Sequence, residues 1–330
     1  MHDQTDPQIQ CSNRLVMTVI SEPKKKWSHR PLVGLIVAVV VGGAAILLLR
    51  NIAKIDFAGA LAAASTIPPS QALVILVMAA CSYVCLTGFD WLALKYLGQT
   101  LPYRRAALAS FSALSLGHNI GFAALSSGAV RYRFYSRWGL SGVEIAKLIV
   151  FCGTTVGLGL ITLGGIALLF MPELSGRVTG LRVGTAQILG ALCLMVPTAY
   201  IAAAAISTST LRFRRWTLDL PPVPLAIAQI LLGTLNSALV AACLHQALNT
   251  VSEVAYPSVV TVYVLANAAA IASHIPGGLG VLEAAVLLLL PGQSSLAAVI
   301  IFRMAYFVVP LPFGLAALII SEFVCRNTRD

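Results

Sequence analysis

The residues that invite a chemical reading are charges set inside apolar runs. Glu283 lies in the middle of GVLEAAVLLLL, where a lone carboxylate is costly unless it is paired, protonated or next to water. Arg131, Arg133 and Arg137 form a cationic strip interleaved with Tyr132, Phe134, Tyr135 and Trp138. On a helix Arg133 and Arg137 share one face, and a guanidinium fork donates two hydrogen bonds to a phosphate. Aromatic rings suit the depth of lipid headgroups. The strip therefore reads as a capture site for a phospholipid headgroup, or as a topology signal alone. Lys147 and Arg303 fall in apolar stretches further along and can neutralise a carboxylate or a phosphate. His118 and His274 each stand near a glycine-containing break, where a histidine serves as a proton-sensitive switch or satisfies unwound backbone. Asp90, in GFDWLALKYLG, reads as a structural partner for Lys95 or Arg104.

Two breaks frame these residues. Residues 106–139 are interrupted by Gly117, Gly121 and Gly128 and carry the polar pair His118 and Asn119. Residues 258–292 are interrupted at Pro276, Gly277 and Gly278, with Gly280 following. Backbone groups freed at such points need partners in protein or water, so these segments belong away from lipid. GAVRYRFYSRWGLSGVEIAKLI, from Gly128, can be laid against GVLEAAVLLLLPGQSSLAAVIIFR, from Gly280, and Arg131 then stands opposite Glu283. The overlay predicts an inverted repeat with a substrate site near the repeat interface. In that reading Arg131 and Glu283 face a shared cavity and pair with each other when no substrate is present. The alternative is a static ion pair, with the hairpins acting only as packing devices.

The elements that hold these positions must be membrane helices. Of 330 residues, 58% are hydrophobic and 10% charged, with a mean hydropathy of +0.88. An ordinary soluble domain has about a quarter of its residues charged, so that class is excluded. Spanning candidates are residues 32–49, 72–94, 147–170, 184–206, 224–246 and 296–320, of a length suited to a hydrocarbon core ~30 Å thick. If both broken segments fold back as re-entrant hairpins, the cytoplasmic side carries 16 Lys and Arg and the other side 4. If both span instead, giving eight spanning helices, the division is 12 to 8. The positive-inside rule favours the first arrangement. The expected fold is an all-α polytopic membrane protein with about six spanning helices and two re-entrant broken hairpins forming an inverted repeat. Residues 1–31 form a basic cytoplasmic segment, 32–320 the integral membrane domain and 321–330 a short tail, with both termini cytoplasmic.

Other classes find little support. The net charge of +10 is spread in short clusters between spans, which fits topology and anionic headgroups and points to no nucleic-acid partner. The first apolar run lacks a cleavage site and reads as a retained span. Seven cysteines include no CxxC pair and no metal-ligand spacing, so neither a disulfide nor a metal is expected. There is no GxSxG, P-loop, HExxH or acidic pair for a metal-bound sugar donor. No catalytic residue and no cofactor is nominated.

The segments FDWLALKYLGQTLPYRRA, GHNIGFAALSSGAVRYRFYSRWGLS and SHIPGGLGVLEAAV resemble the membrane region of the lysylphosphatidylglycerol synthetase/flippase family. The resemblance covers most of residues 30–322. It implies a flippase domain that moves aminoacylated phosphatidylglycerol to the outer leaflet, a process tied to antimicrobial peptide resistance. The functional positions it implies are Arg131, Arg133, Pro276, Gly277, Gly278, Gly280 and Glu283. Two-domain members add a soluble aminoacyl transferase. The chain ends at Asp330, shortly after its last span, so synthase activity is not carried over. Stand-alone relatives are linked to glycolipid, cell-wall and hopanoid pathways.

The expectation is a bacterial inner-membrane translocase for an anionic or aminoacylated phospholipid such as lysylphosphatidylglycerol. Its partners are membrane phospholipids and a separate aminoacyl-phospholipid synthase or other lipid transferase, with oligomerisation left open. The alternatives are a non-transporting scaffold for a lipid-modifying transferase, a transporter of another lipid such as a glycolipid or hopanoid, and an intramembrane lipid transferase.

Overall fold

A computed structural model describes residues 67–120, 123–206, 211–213, 216–218, 220–273, 280–290 and 296–327. The basic segment 1–31, the first expected span at 32–49, Gly121, His274, Pro276, Gly277, Gly278 and the last three residues of the tail lie outside the described residues.

Proline and capping chemistry start the long helices. Helix α1 (Pro69–Tyr96) begins on a proline, whose missing N–H costs nothing in a first turn. Helices α2 (Tyr103–Ile120) and α3 (Ala123–Arg137) follow. Helix α4 (Gly142–Phe170) starts five residues before the expected position. Ser141 accepts from the Glu144 backbone N–H, and the Glu144 carboxylate accepts from the Ser141 N–H at 2.7 Å, a reciprocal cap. A short helix α5 (Pro172–Thr179) ends on Gly180 at φ +72°, a left-handed stop that glycine adopts without penalty. Helix α6 (Val183–Ile206) leads to a short ribbon of β1 (Leu211–Phe213) paired antiparallel with β2 (Trp216–Leu218) in the loop before the next helix. Then come α7 (Val223–Leu248), α8 (Tyr256–Ser273), α9 (Val281–Leu289) and α10 (Leu296–Arg303). A π-helical turn at Met304–Val308 joins α10 to α11 (Pro310–Asn327).

Helices α1, α4, α6 and α7 and the stretch Leu296–Ser321 of the α10–α11 unit are each 24–29 residues long and apolar enough to cross a membrane. They match five of the six expected spans. Their outward faces carry large apolar side chains such as Leu73, Ile188, Leu231 and Ile320, each more than half exposed, which suits lipid rather than water. The molecule is a polytopic α-helical membrane protein.

Each broken segment is a pair of helices lying against one another, α2 on α3 and α8 on α9. For the first, the Gln99 side-chain N–H donates to Glu144 Oε1 at 2.7 Å, so the chain before α2 and the start of α4 are side by side. The segment thus returns to the end of the bundle it left, as a hairpin does. The halves also interlock: α1 packs on α7, α2 reaches α11, and α8 reaches α4. Each hairpin's first leg leans on the spanning helix that follows the other hairpin.

Gly117 and Gly128, expected at the break, lie inside α2 and α3. A Cβ on Gly117 would stand 2.8 Å from Ser127 Cβ, and one on Gly128 would stand 3.2 Å from Ile149 Cδ1. Gly117 therefore lets the two legs approach, and Gly128 lets α3 approach α4. The same device joins the halves, where a Cβ on Gly159 or Gly233 would collide with the other helix's backbone. In lipid, helix association relies on such close approach.

Candidate functional site

Among the described residues two ion pairs within apolar helices organise the chemistry, one sealed and one open. The sealed pair is Asp90 with Arg131, whose side chains are 0% and 4% exposed. Ser127, Arg131 and Tyr135 recur at every fourth residue of α3 and so share one face. Arg131 Nη2 donates to Asp90 Oδ1 at 2.7 Å and Nε to Oδ2 at 3.0 Å, while Nη1 donates to Ser127 Oγ at 3.2 Å. Tyr135 O–H donates to Asp90 Oδ2 at 2.9 Å, Ser110 Oγ to Oδ1 at 3.0 Å, and the Cys152 thiol to Oδ1 at 3.5 Å. Helices α1, α2, α3 and α4 are tied by this one carboxylate. A buried charge pair tolerates burial when further hydrogen bonds support it, and here all three guanidinium nitrogens and both carboxylate oxygens have partners.

The open pair is Glu283 with Arg303, 20% and 14% exposed. Glu283 stands in the first turn of α9. Its Oε2 accepts from the Gly280 N–H at 2.9 Å, and Gly280 holds φ at +85° to make the turn into the helix. Arg303, the last residue of α10, donates from Nη2 to Oε2 at 2.9 Å and from Nε to Oε1 at 2.5 Å.

Immediately after Arg303 the helix widens into its π turn. Pro310 has no N–H to give to the Tyr306 carbonyl four residues earlier, and the Tyr83 hydroxyl donates to that oxygen at 3.2 Å. The Asn119 amide, near the end of α2, donates to the Phe307 carbonyl at 2.8 Å. Ser82 Oγ lies 2.9 Å from the Tyr306 hydroxyl and donates to Asn236 Oδ1 at 2.8 Å. The His118 ring stacks on Tyr306 with centroids 6.1 Å apart and meets the Phe307 ring edge-on at 5.8 Å. The guanidinium of Arg303 lies 5.7 Å from that same Phe307 ring. His118 Nδ1 is buried with no hydrogen-bond partner among the described residues. The far part of the first hairpin, the start of α9 and the π turn therefore converge, a juncture typical of functional sites.

The expected partnerships are corrected at three points. Arg131 pairs with Asp90, and Glu283 with Arg303, so the proposed Arg131–Glu283 pair does not form. Each half of the repeat makes its own ion pair, because repeat-equivalent positions are related by the symmetry axis and need not touch. Asp90 takes neither Lys95 nor Arg104; the Lys95 ammonium sits 3.5 Å over the Trp91 ring. Of the cationic strip, Arg131 is fully committed inside the protein, Arg133 is half-buried and Arg137 is exposed. Lys147 is half-buried in the second turn of α4. The sequence reading brought His118, Arg303 and Glu283 into its candidate set, and they gather around the π turn. It missed Tyr83, Asn119 and Asn236 as partners in that region. Pro310, which has no N–H to offer the Tyr306 carbonyl, was the available signal.

Fold and site together define a multi-pass membrane protein built around two broken helical hairpins. Residues 33–314 match the lysylphosphatidylglycerol synthase TM region, and the chain belongs to that family. It is 32% identical over 252 residues to the uncharacterized protein slr0712 of Synechocystis sp., covering 75% of this chain and 78% of the relative. It is 30% identical over 256 residues to the inner membrane protein YbhN of Escherichia coli K12, covering 75% and 79% respectively.

Proposed function

We propose that this protein is a lipid translocase of the bacterial inner membrane, working on a phospholipid headgroup with its N-terminus in the cytoplasm. The observation that carries the reading is the contrast between the two ion pairs. Asp90 and Arg131 are sealed by packed helices, while Glu283 and Arg303 stay partly open beside a hairpin and a π turn. A permanent tie has no need of that opening. The path runs along the second hairpin: Arg303 takes the lipid phosphate through its planar fork, α9 shifts to release Glu283, and the acyl tails remain in lipid. Arg133, Arg137 and Lys147 gather headgroups from the leaflet at the end where α3 and α4 meet. The cargo set includes aminoacylated phosphatidylglycerol, and a separate aminoacyl-phospholipid synthase or other lipid transferase supplies it. The family and the name of the inner membrane relative support this reading.

The test is leaflet exchange of acyl-labelled phospholipid in liposomes containing the purified protein alone. Exchange above protein-free vesicles, with the lipid chemically unchanged, is expected. A chemically altered lipid would point to an intramembrane transferase. Exchange that appears only when a lipid transferase is added would point to a scaffold.

A further inference from the structure

We infer that Asn119 is a positioning residue for the open ion pair, acting through the π turn to keep Arg303 aimed at Glu283. This deepens the translocase reading and rests on it. The turn Met304–Val308 begins at the residue after Arg303. At its end the Val309 N–H donates to the Met304 carbonyl, five residues back, at 2.9 Å, where an α-helix reaches back four. The turn thus carries one residue more than the helix around it needs.

Covalent structure does not fix a surplus residue in place. It can shift along a helix, and each residue it passes turns by about 100°, the angle of one residue in an α-helix. Arg303 borders the turn on its N-terminal side, so it is the first residue that a shift in that direction takes in. Turned so far, its guanidinium would leave Glu283, to which it donates from Nε and Nη2. The placement of the turn therefore decides whether the open pair forms.

Two donors from the first half of the chain reach the turn. The Tyr83 hydroxyl bonds the Tyr306 carbonyl and fills the gap that Pro310 leaves. The second donor has no such gap to fill. Four residues after Phe307 stands Leu311, which keeps its N–H, yet the Asn119 amide donates to the Phe307 carbonyl at 2.8 Å. That bond marks one position of the turn along the helix. The same amide nitrogen donates to the Ser115 carbonyl at 2.8 Å, and α2 packs on α1, α3 and α11, so Asn119 reaches across from a firm base. Glu283 stands on looser ground, since α9 has nine residues, of which only Val286 is buried. In the translocation step α9 moves and Arg303 stays, held by the first hairpin through the turn behind it.

The experiment uses the full chain in liposomes and reads leaflet exchange of acyl-labelled phosphatidylglycerol and phosphatidylethanolamine, with the thermal transition in detergent as the check on folding. Asn119→Leu should stay folded and lower exchange by about tenfold or more. Deleting Val308 removes the surplus residue, so the bond from Val309 to Met304 closes an ordinary α turn and Arg303 keeps its facing. The deletion variant should exchange at the wild-type rate, and adding Asn119→Leu to it should cost nothing further. A merely structural Asn119 would instead bring the same loss in both backgrounds. That result would overturn the inference and leave translocation standing, as would wild-type exchange in Asn119→Leu or lost exchange in the folded deletion variant. Exchange of neither lipid by folded wild type would overturn the translocase reading. If the deletion variant does not fold, or wild type moves no lipid, a fluorine label decides. It is para-fluorophenylalanine in place of Phe307, whose ring lies 5.7 Å from the Arg303 guanidinium. In Asn119→Leu its resonance should move towards the position it takes in Arg303→Gln, and a resonance that stays at the wild-type position would overturn the inference.

Discussion

Asp90 and Glu283 are both carboxylates in apolar helices bonded to an arginine, yet their surroundings give them opposite consequences. Removing Asp90 leaves Arg131, 4% exposed, without a counter-charge. Asp90→Ala should cost about 3–5 kcal/mol of stability, measured by thermal unfolding in detergent. Asp90→Ala with Arg131→Leu should recover most of that loss, because apolar replacement of a whole buried pair is close to neutral. These partners were not legible in the sequence. Asp90 and Arg131 stand 41 positions apart, and nothing in their local spacing distinguishes that pairing from Lys95 or Arg104 nearby. The repeat overlay misled for a physical reason: it finds equivalent positions, whereas contact is made by neighbours. The types of residue were legible all the same. Asp90, Arg131, Glu283 and Arg303 are charges in apolar surroundings that need opposite charges, and the described residues place them in two pairs of opposite sign.

The element with the most specific consequence is the π turn. Pro310 leaves the Tyr306 carbonyl without its helical donor, and the Tyr83 hydroxyl fills the gap. Tyr83→Phe should cost about 1 kcal/mol by leaving that oxygen unpaired. In a Pro310→Ala background the restored backbone N–H supplies the donor, and Tyr83→Phe should become nearly neutral. A double-mutant cycle on thermal stability measures the difference, and an undiminished cost in the alanine background would remove the account of the turn. Spans were readable because hydropathy over about 20 residues reports on the membrane directly. Finer boundaries were readable in principle, since Ser141 and Glu144 spell out the cap that starts α4 early. Gly117 and Gly128 show where reading stops. A glycine that bends the chain and a glycine that admits a neighbour look alike in sequence, and only the 2.8 Å approach to Ser127 separates them.

For the whole molecule, the hairpin arrangement fixes which loops share a side of the membrane. The bond between Gln99 and Glu144 puts the approaches to α2 and α4 together. Cysteines placed at Thr100 and Ser136, in a chain otherwise free of cysteine, should therefore react with a membrane-impermeant thiol reagent from one side. A cysteine at Ser252, beyond the far end of α7, should react from the opposite side. Labelling of positions 100 and 136 from opposite sides would instead require the first broken segment to span. Charge distribution carried this part of the fold in the sequence, because 16 against 4 is a wide margin for a rule that counts loops. The interlocking of the halves was hidden. It depends on contacts such as Gly159 against Gly233, made between residues far apart in the chain.

The central claim is that the open ion pair lies on the lipid path and the sealed pair only holds the protein together. Leaflet exchange of acyl-labelled phospholipid tests it most directly, comparing Glu283→Gln/Arg303→Gln with Asp90→Ala/Arg131→Leu, each checked for folding by its thermal transition. The open-pair variant should stay folded and lose exchange by about tenfold or more, while the sealed-pair variant should exchange at the wild-type rate. A folded open-pair variant that exchanges lipid like wild type would contradict the claim.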